Sequence, residues 1–340
     1  MKNGIIEDDV IDLGTALDQW AAGQPARAAI GDMIASIAAV AVDLEQRIAK
    51  GELCDAPTDG DRRKTLDAIA EDMLVAALSD APIAIIGSAA REKAIILDPS
   101  ASFALTLSPL DGASNIDTNI PAGTIFSILL ISDGDHMAEA LLQPGNRQLA
   151  AGFILYGPKT SLALTLGDGA AIYTLDRTEG VFSRSRRQVQ IAAESSSEYA
   201  IDASAYRRWE APMRAYVDDV AGGERIDMRW IGSPVAEAYR ILIRGGLFLC
   251  PGDHRDGHEK SCPRLVCLAN PLAIVIEQAG GLATDGENRI LDLKPKTLHQ
   301  RVSLVFGSKP MVERVRGFHD GTLRLGERSP LFGRRGLFRP

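Results

Sequence analysis

Apolar residues return every three or four positions from Ala26 to Ala49, as Ile30, Met33, Ile34, Ile37, Ala38, Ala41, Leu44 and Ile48. That spacing predicts a helix, with Gly51 placed to stop it. A second helical pattern, Leu66, Ile69, Ala70, Met73, Leu74 and Ala77, covers Lys64–Leu78. The period then shortens. Strands are predicted at Ile83–Gly87, Ala94–Leu97, Ala101–Leu107, Thr124–Ile131, Ala150–Tyr156, Ser161–Leu166 and Ala171–Asp176, separated by Gly, Pro, Asp and Asn. Several are near-continuous apolar runs, which implies a sheet covered on both faces.

The pattern turns polar over Arg184–Ser197, ending in three serines, and this predicts a boundary between halves 1–195 and 196–340. Beyond it, helices are predicted at Ala203–Asp219, Pro234–Gly245 and Pro271–Ala279. Strands are predicted at Gly246–Cys250, Arg264–Leu268 and near Ala283, Ile290 and Ser303–Phe306. Helices and strands mixed in both halves mean a layered α/β or α+β architecture. With 340 residues, 46% of them hydrophobic, the chain can bury a large core. Thirty-seven basic against 45 acidic residues give a net charge of −8, and 5% are aromatic. This balance argues against nucleic-acid binding, and an anionic substrate needs a locally basic pocket. The four cysteines (54, 250, 262, 267) form no C-x-x-C pair and read as thiols rather than a zinc site. The histidines and acids of 253–259 read as a solvated loop. The acidic N-terminus is unlike a signal peptide, and no apolar run is long enough to span a bilayer, so a cytoplasmic protein off the membrane is expected.

Chemistry concentrates in Ser108-Pro109-Leu110-Asp111-Gly112-Ala113-Ser114-Asn115, which leads to Gly123-Thr124-Ile125-Phe126. A strand that delivers a carboxylate, a glycine and small polar residues can hold a divalent cation and lay backbone N–H groups on a phosphate. Taken alone, Pro-Leu-Asp-Gly is also an ordinary turn. The longer stretch resembles the Asp-Pro-Leu-Asp-Gly-Ser-Ser-Asn…Gly-Thr-Ile-Phe motif of class 1 fructose-1,6-bisphosphatases. Further matches follow in the same order: Gly60-Asp61 with Lys64–Asp67, Leu155-Tyr156-Gly157, Met228–Ser233, Asn270-Pro271-Leu272, Glu277–Gly281, Leu298–Arg301 and Gly307-Ser308. The ending Ser329–Arg335 resembles the versions carried with bacterial carbon-fixation operons.

The resemblance implies a layered αβαβα sugar-phosphatase fold of two halves and a homotetramer. It implies hydrolysis of fructose 1,6-bisphosphate to fructose 6-phosphate and phosphate, with Mg2+ generating the hydroxide and neutralising phosphoryl charge. Carried over residue by residue, Asp67 and Asp111 are catalytic, and Leu110, Asp111 and Ser108 fall at metal positions. Asp111, Gly112, Ala113, Ser114, Asn115, Asp202, Arg229, Ser233 and Arg264 fall at substrate positions. The match is thinned at the ligands. The family's Ser-Glu-Glu is Ser88-Ala89-Ala90, the first Asp of its Asp-Pro-Leu-Asp is Ser108, and the Glu before Asn-Pro is Leu268. On the substrate side a Tyr is Cys250, a Lys is Cys262 and an Asn is Asp202. Glu92 and Asp98 are the nearby acids that could substitute as ligands. The alternative this opens is a weak or silent homologue that binds sugar phosphate or acts as a regulatory subunit.

Overall fold

The computed structural model describes residues 11–52, 62–131, 137, 139–192, 198–222, 226–252 and 262–324, with the side chains of 62–67 left aside. The predicted N-terminal helix is α2 (Pro25–Ala49), preceded by α1 (Leu13–Ala21) and followed by α3 (Arg62–Ala77). Eight strands follow: β1 (Ile83–Ser88), β2 (Ile95–Ile96), β3 (Phe103–Asp111), β4 (Ala122–Leu130), β5 (Gln148–Tyr156), β6 (Ser161–Thr165), β7 (Ala170–Asp176) and β8 (Val181–Arg186). They form one sheet in the order β2-β1-β3-β4-β5-β6-β7-β8, in which only β1 and β3 run parallel. Every residue of β1 and β6 is buried, as the unbroken apolar runs require.

The second half supplies β9 (Glu198–Ile201), α4 (Ala211–Ala221), β10 (Asp227–Met228), α5 (Pro234–Arg244), β11 (Leu247–Cys250), α6 (Asn270–Gln278), β12 (Leu282–Thr284), β13 (Leu304–Gly307) and α7 (Lys309–His319). Its five strands are ordered β10-β9-β11-β13-β12.

Three cores stack these elements into five layers. Ile34, Ile37 and Leu44 of α2, with Leu74 of α3, pack on the sheet face that carries Phe126 and Ile154. The opposite face carries Ile125 and Phe153, since neighbouring strand residues point to opposite sides. It meets Val235 and Ile241 of α5, Leu272 and Val275 of α6, and then Phe248 and Phe306 of the second sheet. The far face of that sheet, Tyr199, Leu249 and Val305, is closed by Met213 and Tyr216 of α4 with Val312 and Phe318 of α7. The expected αβαβα layering is thereby built.

Local corrections are informative. Residues 264–268, predicted as a strand, form a π-helical turn (Leu265–Ala269) running into α6. Leu265 to Ala269 are all buried, and an apolar run without polar gaps carries no period by which to separate strand from helix. Ile290 begins a 3₁₀ turn, not a strand. The helix predicted over 203–219 divides into a 3₁₀ turn (Ala203–Arg208) and α4, which restarts with Pro212 in its first turn. Elements α1, β8, β9, β10 and α7 were not predicted. The ending Ser329–Arg335 and the histidine-containing loop of 253–259 lie outside the described residues.

Candidate functional site

The turn at the end of β3 owes its position to a bulge. Ser108 pairs with Ile125 and Asp111 with Gly123, so β3 spends one residue more than β4 over this stretch. The Thr124 hydroxyl donates to the Pro109 carbonyl at 2.7 Å and fixes the kink. Gly112 then takes a left-handed conformation (φ 76°), and a 3₁₀ turn over Ala113–Thr118 follows. A Cβ on Gly123 would lie 2.3 Å from the Ile154 carbonyl oxygen and 2.8 Å from Val235, so glycine allows α5 to close on this corner.

That closure brings the halves together. The Asn115 side-chain amide donates to the Gly232 carbonyl (3.3 Å), and the Val235 N–H donates to Asp111 Oδ2 (3.4 Å). Asp111 therefore faces the N-terminus of α5, where the helix dipole favours its negative charge. Ser233 caps the same helix, accepting from the Ala236 N–H at 3.3 Å, and is fully buried. Ser108 and Leu110 are buried in β3, and Ala113 beneath the turn.

A second set of segments meets the end of β1. The Ala89 N–H donates to the Leu107 carbonyl (2.8 Å), and the Arg264 guanidinium donates to the Ala89 carbonyl. Arg264 Nε is buried with no acceptor among the described residues. Cys267 is buried against the Gly87 carbonyl (3.6 Å), and burial pushes its thiol up to about 12. Ser88 accepts from the Ala90 N–H, and Leu268 is 9% exposed. Arg91 ion-pairs with Glu71, which is buried in α3, and with Asp72 at 2.8 Å.

The remaining candidates are distributed differently. Asp202 accepts from the backbone N–H and hydroxyl of Ser204 at 3.0 and 2.6 Å, capping the turn that follows β9. Cys250 lies close enough to Cys262 and Asp202 for their charges to add to burial in raising its thiol to about 12. Arg229 stays exposed, between Met228 and Trp230, and its Nε is 3.2 Å from Glu198. Glu198 also holds Arg240 and Arg244, both at 3.2 Å, and Arg240 reaches the fully buried Glu237 at 2.7 Å. The sequence reading missed this cluster, because Glu198 sits at the edge of a serine-rich polar stretch. Asp67 lies in α3, its side chain outside the described residues. Asp98, a possible substitute ligand, is engaged by Ser100 (2.9 and 2.6 Å), which lowers its pKa. Among the described residues no three His, Cys, Asp or Glu side chains are grouped to hold a metal.

Cavities among the described residues lie elsewhere. One of about 370 Å³ is lined by Glu45, Ile116, Asn119, Tyr156, Thr160 and Arg177, and another of about 350 Å³ by Glu139, Gln143, Arg147 and Lys294. No described helix is long and apolar enough to cross a membrane.

Comparison with known proteins places this geometry. Residues 31–187 match the family model "Fructose-1-6-bisphosphatase, N-terminal domain", and residues 192–320 match the corresponding C-terminal domain. A class 1 fructose-1,6-bisphosphatase of Nitrobacter hamburgensis is 47% identical, over 95% of this chain and 97% of its own. One from Rhizobium meliloti is 46% identical, over 91% and 93%. The crystal structure of Leishmania major fructose-1,6-bisphosphatase in holo form superposes with a TM-score of 0.81 at 28% identity, covering 92% of this chain and all of that one. With a bulged turn held against the N-terminus of α5, and similarity to these relatives over nearly its whole length, the chain belongs to the class 1 fructose-1,6-bisphosphatase family.

Proposed function

We propose that this chain acts on fructose 1,6-bisphosphate as a phosphoric monoester hydrolase, releasing phosphate and fructose 6-phosphate. The observation that carries this reading is the Leu110–Asn115 turn, held against Gly232–Val235 from the other half in a chain of this family. The N-terminal half, 1–195, would supply the phosphate turn and the C-terminal half, 196–340, the substrate contacts. Arg264 and Arg229 are the donors suited to phosphate oxygens, because a guanidinium offers parallel charged hydrogen bonds. Gly112, Ala113, Ser114 and Asn115 would line the phosphate, with Ser233 and Asp202 holding the walls of the cleft through their caps. Assembly as a homotetramer in the cytoplasm belongs to the same proposal. Exposed Met228 and Trp230, 51% and 43% accessible, flank Arg229 on a surface suited to a second copy.

Dependence on divalent metal is general in the family, but the donor set here does not fit a hard cation. Magnesium takes near-octahedral oxygen ligands, usually with carboxylates among them. At the corresponding positions the chain offers the Ser88 and Ser108 hydroxyls, methyl groups at Ala89 and Ala90, and the Leu268 side chain, leaving Asp111 and the Leu110 carbonyl. The same absence favours a second reading, a protein that binds the sugar phosphate without turning it over, whereas the relatives favour hydrolysis.

Phosphate release from fructose 1,6-bisphosphate, with magnesium or manganese present, decides between them. Hydrolysis predicts release that Asp111→Asn reduces by about 100-fold or more. Release no faster than buffer, from a folded protein whose melting temperature still rises with the sugar phosphate, establishes the second reading.

A further inference from the structure

Both readings take the Leu110–Asn115 corner and the Ala89–Arg264 contact beside β3 as a sugar-phosphate site, and the inference that follows rests on that. The four carboxylates replaced by Ala89, Ala90, Ser108 and Leu268 would together carry four negative charges, the charge that two divalent cations balance. Loss of carboxylates without loss of cations would leave a strongly cationic hole, and loss of cations alone would repel a phosphate. Loss of both leaves the net charge met by an incoming phosphate unchanged. At this place the structure has apolar and hydroxyl walls, with Ser88, Ser108 and Leu268 each less than one-tenth exposed. The Arg264 guanidinium donates to the Ala89 carbonyl, and its buried Nε has no acceptor among the described residues. A buried donor without an acceptor costs free energy that an anion would recover. Asp111, the carboxylate that remains, sits at the N-terminus of α5, where the backbone partly offsets its charge.

We propose that this site holds the substrate phosphate directly on the Arg264 guanidinium, with no divalent cation between them.

Calorimetric titration of the full chain with fructose 1,6-bisphosphate tests this, once in excess EDTA and once in saturating magnesium. The expected dissociation constants agree within about threefold, and magnesium added alone gives no binding heat. Arg264→Met is expected to weaken binding by about tenfold or more in both buffers. Because that variant also loses the bond to Ala89 and could fail to fold, a second variant restores the carboxylates: Ala89→Glu, Ala90→Glu, Ser108→Asp and Leu268→Glu together. Its binding should become weaker in EDTA and recover with magnesium. Wild-type binding that appears only with magnesium overturns the proposal while leaving the cleft a sugar-phosphate site. Binding in neither buffer overturns both.

Discussion

Arg240 shows what a single buried charge does in this chain. It bridges Glu198 and the fully buried Glu237, whose carboxyl is held above its ordinary range by desolvation, opposed by the Arg240 bond. Arg240→Met would leave Glu237 buried without its cation. The expected cost is about 3 kcal/mol of stability in urea unfolding, of which Glu237→Gln in the same chain should return a part. A loss under about 0.5 kcal/mol would show that the cluster is held some other way. The pair is illegible in the sequence, because Glu198 and Arg240 are forty-two positions apart and only folding joins them. The turn at Asp111, Gly112 and Asn115 was legible because turn chemistry and glycine conformation are local and leave a local pattern. Asp202 and Ser233 were named for a substrate, and each serves its own backbone as a cap.

Helix ends carry local energy at the next scale. Asp12 caps α1, accepting from the Thr15 N–H (2.9 Å) and hydroxyl (2.6 Å), and those bonds pull its carboxyl below the usual value. A lowered pKa means the folded state binds its proton less readily than the unfolded one. The contribution is therefore present above the unfolded pKa near 3.8 and is lost as pH falls through the folded value. Asp12→Ala should cost about 1 kcal/mol near neutral pH. Parallel unfolding curves should converge with wild type in strong acid; a gap that persists there would refute the cap. The sequence reading missed α1 because nine residues give too few turns for a periodic stripe to stand out. It missed β8 for another reason: Val181–Arg186 is an edge strand with four polar residues, so only half of it needs to be apolar. The long, fully buried strands were legible, whereas the π-helical turn was not, since burial on every side erases periodicity.

At the scale of the whole molecule, two sheets and the helices between them are what bring residue 111 to residue 235. The mixed helices and strands of both halves were legible as a layered α/β pattern, whereas the five-layer order came from the family motifs, because α4 precedes α5 in the chain yet lies two layers beyond it. The replaced positions were legible too; what the sequence could not show is which groups folding sets beside them, such as the Ala89 carbonyl on Arg264. Its family supplies the scaffold, and where the family motifs have acids the chain has Ala89, Ala90, Ser108 and Leu268, with Arg264 retained and bonded to the Ala89 carbonyl. The claim on which this account turns is that the Leu110–Asn115 corner still receives a phosphorylated sugar. A crystal structure of the chain with fructose 1,6-bisphosphate tests that most directly. The account predicts phosphate density at that corner, within hydrogen-bond distance of Arg264. Well-ordered sugar phosphate in the cavity between Glu45 and Thr160, with the corner closed by protein side chains, would contradict it.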